Sequence, residues 1–194
     1  MQVNKYIGDE AFQKMLDHYS CPTPLDVIKM RFCGAICSPN LKLTPVDVIS
    51  SFFEEAKTPR LETKAEADLF FKFFMGLWDE VFASIVANKV SLSSINSKDV
   101  AFYCQKRFDE IEMGFVEGFF GGQENLKMAG YLAQIVDSVS ELALVYNKLK
   151  NTTQPSEKLF EAIKNTDKMV EQAISFIIEH SVLPRIEDLK RQVN

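Results

Sequence analysis

Two histidines and four cysteines are the soft metal ligands available in this 194-residue chain, and four of the six cluster early as His18, Cys21, Cys33 and Cys37. Cys33 and Cys37, four residues apart, are neighbours on one helix face. His18-x-x-Cys21 lies just ahead of that helix. One imidazole and three thiolates in tetrahedral array are a zinc ligand set. The same residues have a plainer reading, because Cys33 and Cys37 adjoin Phe32 and Ile36, and free cysteine is among the most buried residue types. Packed thiols with no metal and no cofactor are the expectation; zinc binding or a thiol-dependent activity at these four residues is the alternative. Cys104, between Tyr103 and Gln105, has no partner nearby in sequence.

Other chemistries lack their residues. Met15 and Ile177 occupy the positions three before His18 and His180, so no Glu-x-x-His pair exists for a di-iron bundle. H-E-x-x-H, G-x-S-x-G, Walker A and G-x-G-x-x-G patterns are absent. Each histidine falls near a predicted helix end, where a cation offsets the exposed carbonyls. Asp109, Glu110, Glu112 and Glu117 line one predicted helix, with Glu110 and Glu117 two turns apart on one face. That pair suits a cation or acid–base work, but a solvated outer face is the expected reading.

The elements that carry these residues are written in helical spacing. "TPLDVIKMRF" from Thr23 and "TPVDVISSFF" from Thr44 share six of ten residues. Both read as helix starts: Thr at the N-cap, Pro in the first turn, and Asp completing a capping box. No third copy follows, which excludes a repeat array. An earlier helix spans about Asp9 to Tyr19. A later one, capped by Thr63 with Glu66, continues through Trp78 to about Ala87. Its Phe70, Phe71, Phe73, Phe74 and Trp78 read as core, or else as interface anchors. Ser97 is the expected cap of a helix from Lys98 to Phe120, ended by a left-handed glycine at Gly121-Gly122. Further helices are expected from about Glu124 to Lys150, and from a Ser156 cap to about Val182. Pro184 then stops the last helix before a charged tail.

Apolar residues make up 46 % of the chain and charged residues 25 %, the balance of a globular protein. The net charge of −5, with no Lys/Arg cluster, argues against nucleic acid as a partner. No stretch approaches the ~18 apolar residues of a membrane span, and Asp9 and Glu10 fall where a signal peptide would be apolar. Four cysteines in that setting read as reduced thiols, so a cytoplasmic location is expected.

The order of Ile36-Cys37-Ser38-Pro39, a helix begun at Pro45, Asp79-Glu80-Val81, and Ile111-Glu112-Met113-Gly114-Phe115-Val116-Glu117-Gly118 resembles the YecA/YgfB-like family of all-helical bacterial proteins. The likeness covers about residues 25–122. Pro39, Pro45, Glu80, Gly114, Phe115 and Gly118 are the positions that match, and the resemblance implies structural roles for them. The chain departs from the family pattern at Lys29-Met30 and at Ile111, where the family has Gly and Trp. It also lacks a cysteine-rich tail after Cys104, so the family's zinc binding does not carry over.

The expectation is an all-α, single-domain irregular bundle of about six to eight helices over 1–194, with a C-terminal helical portion at about 123–194. The expected function is non-enzymatic: a protein-interaction or regulatory module of unknown partner, with a homodimer as one form. A helical pocket for an apolar ligand is a further alternative.

Overall fold

The computed structural model describes residues 5–53, 59–123, 125–152 and 156–193, and the chain is all-helical over them, with no strand. Among the described residues seven helices follow one another: α1 (Asp9–His18), α2 (Leu25–Cys37), α3 (Pro45–Ser50), α4 (Lys64–Val86), α5 (residues 100–120), α6 (Gly130–Leu149) and α7 (residues 157–193). α5 and α7 are each interrupted by a π-helical stretch, Asp109–Val116 and Ile178–Val182.

Capping chemistry explains most helix starts. At α3 the Thr44 hydroxyl oxygen accepts from the Asp47 N–H, and the Asp47 carboxylate accepts from the Thr44 N–H at 2.8 Å. Thr63 and Ser156 accept from the N–H groups of Glu66 and Leu159. The matching Thr23 does something else. Its hydroxyl donates to the Phe52 carbonyl at 2.8 Å, Asp26 pairs with Lys106, and Pro24 holds the N-cap of α2 without a side-chain bond. A tertiary tether has replaced the expected box. At α5 the cap is Asp99, which accepts from Phe102 N–H, while Ser97 supports it by accepting from Asp99 N–H. Gly121 closes α5 at φ 56°, as the sequence predicts. α6 begins at Gly130, later than expected; Glu124 lies outside the described residues.

Pro184 does not stop the last helix. The helix runs on through Leu183–Val193, because the π-helical stretch rearranges the turn just before the proline. The His180 carbonyl, which in a regular helix would receive the N–H that proline lacks, accepts from the Tyr131 hydroxyl at 3.3 Å. His180 is therefore a mid-helix residue and not a C-terminal one. Its exposed ring stacks on Phe176, centroids 3.9 Å apart.

α2 is the centre of the bundle: every residue except Asp26 and Lys29 is buried. One side, with Ile28 and Phe32, packs on α1, α3 and α4 around Phe12, Phe52, Phe70 and Phe74. The other side, with Met30, Cys33 and Cys37, packs on α5, α6 and α7 around Phe115, Phe119, Val139 and Ile177. Phe71, Phe73 and Trp78 are half-buried against the first group. The strongly apolar α4 is not the central helix; Leu69, Phe82 and Val86 remain exposed on it.

α2 and α5 cross with their backbones in contact. A Cβ placed on Gly34 would lie 2.0 Å from the Phe115 carbonyl oxygen, and one on Gly118 would lie 2.2 Å from that of Arg31. Gly114 faces Met30 with a corresponding gap of 2.9 Å. Pro39 and Pro45 flank the short loop after α2, and Glu80 is exposed on α4. On helix propensity alone, Gly34→Ala would stabilise by about 1 kcal/mol. Here the sign should reverse, and Gly118→Leu should cost about 3 kcal/mol or more by forcing the two helices apart. Urea denaturation measures both, and wild-type midpoints would refute the backbone contact.

Candidate functional site

The possible zinc ligands are not gathered. His18 is exposed at the end of α1 against the Tyr19 ring, whereas Cys33 and Cys37 are buried in the core shared with α5–α7. Cys21 points its thiol at the Thr23 and Phe52 carbonyls, at 3.8 and 3.7 Å. Among the described residues no three His, Cys, Asp or Glu side chains could hold a metal ion together. Burial also makes the thiols poor nucleophiles. It raises Cys21, pushes Cys104 up to about 11, and adds to the hydrogen bond with Cys37 that raises Cys33.

A buried ionic cluster stands where the sequence suggested a solvated face. Arg107, just before the π-helical stretch, donates to Glu110 through Nη1 and to Asp167 of α7 through Nε at 3.1 Å. Its Nη2 reaches the Ser93 carbonyl, the Tyr103 hydroxyl and the second Asp167 oxygen, at 3.1–3.2 Å. Tyr103 and Tyr146 both donate to Asp167. The Ser93 N–H and hydroxyl donate to Glu110 at 2.6 and 3.0 Å. Burial raises the Glu110 carboxyl's affinity for its proton, and Arg107 opposes that rise. The two carboxylates are held by five neighbouring groups and act as anchors: the cluster ties the loop before α5 to α5, α6 and α7.

Glu117 does not share that site. The π-helical turns rotate it to the other side of α5, where it pairs at 2.7 Å with the buried Arg31 of α2. Arg31 also donates to the Met113 carbonyl at 2.6 and 2.9 Å and to Ser51. The seven-residue spacing that promised one face thus yields two separate anchors.

One open feature is an apolar groove of ≈ 630 Å³ between the end of α2, its following loop, α4 and the end of α7. Trp78 and Phe82 line it from α4, Leu41 and Leu43 from the loop, and Ile186 and Leu189 from α7. Trp78 is braced edge-on against Phe32, centroids 5.2 Å apart. Three of the lining side chains are strongly exposed: Leu41 at 73 %, Leu189 at 52 % and Phe82 at 39 %. Arg185 crosses one end and donates to the Ile36 and Ser38 carbonyls at 2.7 and 2.6 Å, capping α2 from another helix. The charged composition after Pro184 predicts a tail, whereas the residues form the end of α7. The three-residue spacing of Leu183, Ile186 and Leu189 was the available signal for an apolar helix face.

The chain matches no family model, no curated protein and no solved structure.

Arg107→Met should destabilise by about 3–5 kcal/mol by stranding Glu110 and Asp167. Adding Glu110→Gln to that variant should recover part of the loss. Urea denaturation reads both, and an unaffected Arg107→Met would show that the cluster is not an anchor. A thiol-exchange reagent should modify Cys21 alone in the native protein and all four cysteines after unfolding. Rapid native labelling of Cys33, Cys37 or Cys104 would contradict their burial.

Proposed function

We propose that this chain is a non-enzymatic protein-interaction or regulatory module of the cytoplasm, and that its partner seats in the groove between α2, α4 and α7. The observation that carries the reading is the continuous apolar lining from Leu41 to Phe82 and Leu189, side chains that a lone chain leaves partly in water. Exposed apolar patches of this kind mark binding sites, and an aromatic pair in a concave surface is the usual composition of an interface centre. Trp78 supplies a rigid floor, since Phe32 fixes its ring, and Phe82 supplies an adaptable wall.

The polar clusters fit the same reading. Glu110, Asp167 and Glu117 are each engaged by arginine, so their chemistry is spent on holding helices together. The affiliation with the YecA/YgfB-like proteins belongs to this proposal and rests on the motif positions in α2 to α5. A homodimer joined through the groove is one form of the same module.

Tagged wild-type chain and Phe82→Glu, each recovered from native cytosol, should differ. A partner present in stoichiometric amount with wild type and missing with Phe82→Glu supports the module. Identical recoveries from two equally folded preparations would overturn it.

A further inference from the structure

The charges around the groove narrow what it accepts. The chain as a whole is acidic, at −5, yet among the described residues the charged ones lining the groove are Arg185 and Lys190, both basic, with no carboxylate. Arg185 is half-buried, and among the described residues no carboxylate pairs with it. Its hydrogen-bond partners are two backbone carbonyls at the end of α2, whose helix dipole presents only about half a negative charge. A guanidinium has five N–H donors, and two hydrogen bonds leave donors for an incoming acceptor. Burial already disfavours the charged form of Arg185, so an anion brought to this end of the groove relieves a cost that the free protein carries.

The shape favours a polypeptide over a small molecule. Leu41, Leu189 and Phe82 are open to solvent along the rim, giving a trough and not an enclosed cavity. Its walls are helix sides and a helix end, into which side chains spaced three and four apart can insert.

Building on the groove reading above, we infer that the occupant is an amphipathic helix with an acidic flank: its apolar face fills the trough over Trp78 and Phe82, and a carboxylate meets Arg185. Complementary charge at a rim sets orientation and partner choice more than total affinity. The apolar contacts hold the helix, and the basic end decides its direction.

The probe is a random library of displayed peptides of about 16 residues, some four helical turns. It is selected on the full-length wild-type chain and counter-selected on Phe82→Glu. The expected winners carry net negative charge and apolar residues at i, i+3, i+4 and i+7. Their affinity should fall about ten-fold on Lys190→Glu and weaken with added salt, while thermal melting verifies that the variant is folded. Phe82-dependent winners that are neutral or basic would sink the acidic-helix inference and leave the groove reading intact. No Phe82-dependent binding at all, whether of peptide, second copy or acyl chain, would sink both. A Phe82-dependent dimer in sedimentation velocity, without peptide enrichment, would overturn the inference in favour of a second copy. Oleate retained by wild type and not by Phe82→Glu in native mass spectra would assign the trough to an acyl chain instead.

Discussion

The contact between the backbones of α2 and α5 sets the rest of the molecule. Gly34 and Gly118 each lack the atom that would collide with the opposite helix, so the two axes approach more closely than side chains normally permit. Close approach lets Arg31 reach both a carbonyl and a carboxylate of α5. It also buries α2 on both sides, which turns one helix into the shared wall of two apolar clusters. The C-terminal end of a helix so enclosed must then find partners for its last carbonyls inside the protein. Arg185 supplies them, and in doing so places the end of α7 beside the loop that follows α2.

The π-helical stretch of α5 is the second determinant. An extra residue in the turns costs hydrogen-bond geometry, and such stretches persist where something specific is gained. Here Glu110 and Glu117 are delivered to different neighbours. Glu110 joins Arg107 and Asp167 on the side of α6 and α7, while Glu117 serves α2. Buried ion pairs are weak sources of net stability, since desolvation offsets most of the attraction. Their value in this bundle is geometric, because Arg107 has its donors satisfied at one mutual placement of loop, α5, α6 and α7.

Helix class, order and most starts were legible from residue spacing, because a threonine or serine three residues before an N–H leaves a local record at Thr44, Thr63 and Ser156. Gly114 and Gly118 each cost helix propensity, and the close approach to α2 is what compensates. What escaped was whatever depends on distant partners. Thr23 has the local signature of a cap, yet Phe52 competes for its hydroxyl. Glu110 and Glu117 have a shared-face spacing only if α5 is a regular helix, and nothing local marks the π-helical turns. The groove escaped because Leu41 and Leu189 are far apart in sequence and individually unremarkable.

The irregular turn ahead of Pro184 gives the groove an unusual mechanical character. From Val182 to Leu189 the helix extends about 10 Å at 1.5 Å per residue, with Arg185 as its tie to α2. A tilt of roughly 10° at that turn would carry Leu189 through about 2 Å on the same helical rise, close to the size of a methyl group. The far wall thus pivots on that turn, and the width of the trough is set by its angle together with the Arg185 tie and the packing of Leu183 and Ile186 on the core.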